Sequence, residues 1–164
     1  MSTPHQSVDF EALDACHRQI HQHLAELAAL AETVATRGVA RTSALQAGTI
    51  EAFFSGTSRQ HHADEERMVF PALLESRDET FVAAVRTLQQ DHGWIEEDWL
   101  ELAPQLRAIA AGNEPADAAE FQHAVEVFVQ LCDGHIALEE SLIYPESKSR
   151  WAKAVARRAA RVNG

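Results

Sequence analysis

Apolar residues recur every three or four positions along most of the chain, the spacing that places them on one face of an α-helix. Strand-type alternation is absent, and glycine and proline cluster where the helical pattern breaks. The pattern predicts helices over residues 8–36, 43–75, 78–111 and 115–145, joined by short turns. Long helices with short connections predict an all-α fold, an antiparallel up-down-up-down four-helix bundle.

One histidine-glutamate motif occurs twice, beginning at His61 and again 74 positions later at His135. Both copies read His-x-x-x-Glu-Glu-x-(Met/Leu)-(Val/Ile)-(Phe/Tyr)-Pro. Because residues four positions apart share a helix face, His61 lies beside Glu65, and His135 beside Glu139. An imidazole and a carboxylate presented together, twice, are ligands suited to a first-row transition metal. The motif therefore predicts a metal-binding protein.

The second copy decides which histidine of the first copy belongs to the motif. His62 and Glu66 have the same four-residue spacing as His61 and Glu65, whereas in the second copy only His135 and Glu139 can pair. His135 lies ten residues before Pro145, and the residue ten positions before Pro71 is His61. Apolar residues seven positions before and after each motif histidine complete an inward-facing stripe (Phe54, Phe128, Met68 and Leu142). This register predicts that His62 lies off the ligand face.

The other half of the duplication contributes one histidine per helix. His17 and His92 each lie at the centre of an otherwise apolar face, and their flanking residues align, so the chain is a tandem duplication of a two-helix unit. The duplicated helices supply six candidate metal ligands, namely His17, His61, Glu65, His92, His135 and Glu139. Six ligands exceed the needs of one structural zinc ion and suit two metals bridged by carboxylates.

Other polar residues near these faces are assigned lesser roles. His21 and Glu96 lie one turn after the lone histidine of each half, so either is a candidate seventh ligand or an orienting group. Glu66 and Glu140 are expected to orient ligands or to be solvated. The pattern places the remaining histidines on the surface or in the terminal segment (His5, His23, His62 and His123).

The end of the chain differs in charge from the rest. Within a chain of 164 residues, the last 17 hold six of the 14 basic residues and none of the 25 acidic ones. We therefore divide the chain into a bundle, residues 1–147, and a basic helical tail, residues 148–164. An apolar stripe along the tail is expected to pack on the acidic bundle (Trp151, Val155, Ala159 and Val162).

Partners and location follow from what the sequence lacks. No signal peptide and no apolar run of membrane-spanning length is recognisable, and Cys16 and Cys132 form no CxxC pattern. We expect a cytoplasmic protein with neither a nucleic-acid nor a membrane partner. The oligomeric state is not readable from the sequence.

These motifs resemble those of the hemerythrin-like, or HHE cation-binding, domains. The resemblance spans nearly the whole chain and rests on the lone His17, the HHxxEExxxFP-like block at 61–71, the lone His92 and the HxxxEExxxYP block at 135–145. It implies a four-helix bundle around a non-haem di-iron centre held by the six candidate ligands. Glu65 and Glu139 would be the carboxylates that bridge the two iron ions.

The resemblance also implies a difference from oxygen-carrying hemerythrins. Those proteins have a second histidine one turn after the third-helix ligand and an aspartate in the fourth-helix motif, where this chain has Glu96 and Glu139. A site richer in carboxylate favours Fe(III), which argues against simple reversible oxygen carriage.

The expected function is to bind or react with O2, nitric oxide or peroxide at the di-iron centre. One alternative is a sensor or regulator in which metal occupancy or redox state alters the bundle. Another is a bundle that binds a different cation, such as zinc or manganese.

Overall fold

The chain folds into a bundle of four long helical segments. The structure is a computed structural model that describes residues 7–164; His5 lies outside the described residues. The helices are α1 (Phe10–Arg37), α2 (Arg41–Ser55), α3 (Thr57–Asp64), α4 (Phe70–Leu74), α5 (Glu79–Ala110), α6 (Ala118–Leu138) and α7 (Tyr144–Val162). Two π-helical turns, Glu65–Val69 and Glu139–Ile143, join α3 to α4 and α6 to α7. Both α2 and α6 pack against α1 and α5, which confirms the predicted all-α bundle.

Short polar caps and one glycine set the helix boundaries. Asp9 accepts a hydrogen bond from the Ala12 amide, so α1 begins two residues after its predicted start. Asp117 caps α6 in the same way and delays its start beyond the predicted residue 115. Gly38, with φ 76°, ends α1 in the left-handed region that glycine adopts readily. Among the described residues, no helix is long and apolar enough to cross a bilayer.

The π-helical turns shift the inward face of the two motif helices by one residue. In the first, the Phe70 amide donates to the carbonyl of Glu65, five residues earlier. Val69 is consequently buried in place of Met68, which is half-buried. The second motif behaves alike, with Ile143 buried and Leu142 half-buried. The predicted inward stripe is therefore wrong at its last position, because a widened turn adds one residue to the spacing.

The fourth helical segment does not end at Pro145. Pro145 lies in the first turn of α7, where its missing amide hydrogen is not needed, and the helix continues to Val162. Lys148 pairs with Asp14 of α1 at 2.9 Å, but the side chains from Val155 onward are exposed. The expectation that the tail's apolar stripe packs on the bundle is therefore wrong for Val155, Ala159 and Val162, whereas Trp151 is half-buried.

Two apolar clusters fill the bundle and leave a polar layer between them. One cluster includes Leu24, Phe54 and Trp99, and the other includes Leu13 and Phe70. On each helical segment, the histidines and glutamates of the motifs lie between residues of the first cluster and residues of the second. The fold therefore buries a layer of ionisable side chains with apolar packing on both sides.

Candidate metal centre

All six predicted ligands converge in the polar layer, in two overlapping groups. Position A is defined by His17, His61, Glu65 and Glu139, and position B by His62, Glu65, His92 and His135. Within each group, one nitrogen or oxygen atom per residue lies within 4.8 Å of the corresponding atom of every other member. Each set mixes imidazole and carboxylate donors, a combination that first-row transition metals accept.

Two carboxylates join the two positions. Oε1 of Glu65 lies 3.5 Å from Nε2 of His61 and 3.3 Å from Nε2 of His92. Oε1 of Glu139 lies 3.4 Å from Nε2 of His17 and 3.0 Å from Nε2 of His135. Two ligands at about 2.1 Å from one ion, separated by 90–110°, are about 3.0–3.4 Å apart. Oε1 of each glutamate is therefore about as far from an imidazole nitrogen of each position as two ligands of one metal ion are from each other.

Several of the converging atoms are buried without a hydrogen bond. Within residues 7–164, no hydrogen-bond partner exists for Nε2 of His61, His92 and His135, Oε1 of Glu65, or Oε1 and Oε2 of Glu139. The short contacts among these atoms do not have hydrogen-bonding geometry. A buried, unsatisfied polar atom costs about 1–3 kcal/mol, and more when it is charged. Bound cations would satisfy all of these atoms together, so the residues present fit a pair of metal ions.

Three carboxylates outside the cluster orient the imidazoles. Nδ1 of His92 lies 2.8 Å from Glu66, and Nδ1 of His17 lies 3.1 Å from Glu140. These contacts match the predicted orienting role of the two glutamates. Asp91, which the sequence reasoning missed, lies 3.3 Å from Nδ1 of His135. Carboxylates on the outer ring nitrogens hold Nε2 pointing inward, the arrangement typical of metal-binding histidines.

The family follows from comparison with known proteins. Residues 8–147 match the family profile described as Hemerythrin HHE cation binding domain. The chain belongs to this family. An uncharacterized protein of Haemophilus influenzae (strain ATCC 51907 / DSM 11121 / KW20 / Rd) is 30% identical over 133 residues, which cover 80% of this chain and 74% of the relative. The resemblance to HHE domains inferred from the sequence is confirmed. With its buried His/Glu cluster, the chain is a metal-binding helical domain.

His62 lies among the residues of positions A and B, together called the HHE cluster, rather than on the surface. Its ring stacks on His92 with centroids 4.3 Å apart and meets His135 edge-on at 5.6 Å. The expectation that it faces away was wrong because a bundle helix packs against two neighbours, and the position after His61 faces α5. Ile136, the equivalent residue after His135, is 3% exposed. That buried apolar residue was the sequence signal that this position is interior in both halves.

Both residues predicted as candidate seventh ligands, His21 and Glu96, lie outside the HHE cluster. His21 is exposed and lies 3.4 Å from Asp133. Glu96 receives two hydrogen bonds from the Arg59 guanidinium, at 2.6 and 3.0 Å. With His62 included, the cluster holds five imidazoles and two carboxylates. The cluster is therefore richer in imidazole than the sequence comparison with oxygen-carrying hemerythrins implied.

Burial keeps most of the cluster imidazoles neutral. Burial lowers the pKa of His61 to about 4, although the Glu65 charge opposes it, and lowers that of His135 to about 2; nearby histidines lower both further. Burial and the same neighbours also lower the pKa of His62. For His92, burial acts to lower the pKa, but the adjacent carboxylates of Glu65 and Glu66 raise it overall. Neutral imidazole is the form that binds metal, so the first three are ready as ligands at neutral pH.

A cleft reaches the HHE cluster from one side. It has a volume of about 680 Å³, lies between α1 and α3, and is lined in part by Leu13, Cys16 and His61. On the other side, the Arg59–Glu96 pair lies over His62, where the remaining cavity measures about 10 Å³. Position A therefore lies beside the larger of these two cavities.

Proposed function

We propose that this HHE domain holds two iron ions at positions A and B and binds or reacts with O2, nitric oxide or peroxide. The observation that carries the proposal is the convergence of seven buried or half-buried donor side chains, several of them without hydrogen bonds. Family membership supports a cation, and the number of donors supports a pair of ions.

The donor set favours iron over the other candidate metals. Structural zinc sites are usually tetrahedral and closed, whereas five imidazoles and two carboxylates offer more than one such ion takes. Manganese prefers sites richer in oxygen, and the side chains here supply mostly nitrogen. Iron accepts both donor types and leaves positions open for a further ligand.

The protein residues have separate tasks in this proposal. Bound iron would supply the electrons and the open coordination position that O2, nitric oxide or peroxide requires. Glu65 and Glu139 hold the two positions at a fixed separation, since each contacts imidazoles of both. The apolar clusters keep bulk water from the layer, and the cleft beside His61 admits a small ligand.

An absorption experiment tests the proposed activity. Protein loaded with Fe(II) without oxygen is expected to gain a visible charge-transfer band when O2 is admitted, whereas zinc-loaded protein gains none. A band that reverses when O2 is removed indicates binding, and one that persists indicates oxidation of the centre. An unchanged spectrum after full iron loading would contradict the proposal.

A further inference from the structure

The tandem duplication allows the two halves of the centre to be compared residue by residue. The lone histidine of each half stacks on the aromatic residue before the motif proline. His17 stacks on Tyr144 with centroids 4.9 Å apart and an interplanar angle of 11°. His92 stacks on Phe70 at 5.6 Å and 24°. The two halves therefore share one arrangement and differ there by a single hydroxyl group.

That hydroxyl group lies among the donor atoms of position A. Tyr144 is 1% exposed, and its Oη donates to Oε2 of Glu65 at 2.7 Å and lies 3.1 Å from Nε2 of His17. The distance to His17 falls within the 3.0–3.5 Å range that separates the imidazole and carboxylate ligand atoms of the cluster. Oη of Tyr144 therefore lies beside donor atoms of two residues of position A, His17 and Glu65.

We propose that Tyr144 is a metal ligand at position A and binds through its phenolate oxygen. This inference rests on the proposed iron centre. Coordination replaces the phenol O–H bond with an oxygen–metal bond, and the proton leaves to solvent with those that metal binding displaces. In the metal-free protein, the Tyr144 hydroxyl uses its proton in the hydrogen bond to Glu65. A cation at position A favours the phenolate instead.

The same comparison makes the two positions chemically unequal. Position B gains a third imidazole from His62, whereas the equivalent residue near position A is the apolar Ile136. Position A gains an anionic oxygen from Tyr144, whereas the equivalent Phe70 offers no donor. Position A therefore favours Fe(III) more strongly than position B, and it is the position beside the open cleft.

The chain offers an unusually direct test because it has one tyrosine. The wild-type protein and a Tyr144→Phe variant would be loaded with iron, oxidised, assayed for iron content and examined by resonance Raman spectroscopy. We expect phenolate vibrations, enhanced within a visible charge-transfer band, in the wild type alone. The variant should fold, because phenylalanine already occupies the equivalent place in the first half. A Phe10→Leu variant, which alters packing on the Tyr144 ring at 6.4 Å, is the control and should keep the vibrations.

The outcomes distinguish a wrong ligand assignment for Tyr144 from a wrong proposal of an iron centre. Iron-loaded wild type without phenolate vibrations would overturn the ligand assignment and leave Tyr144 as a hydrogen-bond donor to Glu65. Wild type that binds no iron would instead refute the proposed iron centre, and the ligand assignment with it. Vibrations that persist in Tyr144→Phe would also overturn the assignment.

Discussion

Replacing Glu139 with glutamine is expected to weaken metal binding by on the order of 100-fold or more. Glu139 is fully buried, and one of its oxygens contacts imidazoles of both positions, so its loss affects both ions. Glutamine keeps the shape of the side chain but removes the charge that balances the cations. Isothermal titration with Fe(II) or Co(II) measures the change in affinity directly.

The same variant has an opposite effect on the metal-free protein. Both carboxylate oxygens of Glu139 are buried without hydrogen bonds among the described residues, which opposes folding. Thermal unfolding of the metal-free Glu139→Gln variant should therefore occur at the wild-type temperature or above. Glu126→Gln, an exposed change on the α6 helix that leads into Glu139, is the matched control and should alter neither property. Wild-type metal affinity in Glu139→Gln would contradict the bridging assignment.

Replacing His62 with alanine is expected to reduce the bound metal from two ions to one. His62 is one of the three imidazoles of position B, and a site left with His92, His135 and a shared carboxylate loses much of its affinity. Position A keeps all of its ligands, so one ion should remain. Metal content after exhaustive dialysis, measured by atomic emission, gives the stoichiometry.

A histidine elsewhere on the bundle provides the comparison for this variant. His21 is exposed and paired with Asp133, so His21→Ala should bind two ions like the wild type. If His62→Ala also binds two ions with unchanged affinity, then His62 is not a ligand despite its place in the cluster. If it binds none, the two positions do not fill independently.

The duplicated sequence was sufficient to predict the bundle and all six expected members of the cluster. The reason is physical: a buried histidine and glutamate four residues apart must share a helix face, and the second motif removes the ambiguity of the first. His62 was misplaced because the repeat has no second histidine with which to compare it. The apolar Ile136 at the equivalent position of the second motif was the one sign in the sequence that this position is interior.

Contacts between helices explain the other omissions. Asp91 acts on His135 across a helix interface, and Tyr144 reaches Glu65 across another. Neither contact produces a periodic pattern in the sequence from which it could be predicted. The π-helical turns were also missed, because one added residue changes the helical pattern too little to be seen. Pro71 and Pro145 were the local sequence sign of these turns. A proline has no amide hydrogen to donate to the preceding turn, so the regular α-helical hydrogen bonding must change near it.

The central claim is that this HHE domain holds two unequal metal ions within one shared ligand set. The most direct test is the Mössbauer spectrum, with the iron content, of protein loaded anaerobically with ⁵⁷Fe and then oxidised. We predict two iron ions per chain, seen as two distinct quadrupole doublets of a spin-coupled pair. One iron ion per chain, or two that are magnetically independent, would contradict the shared centre.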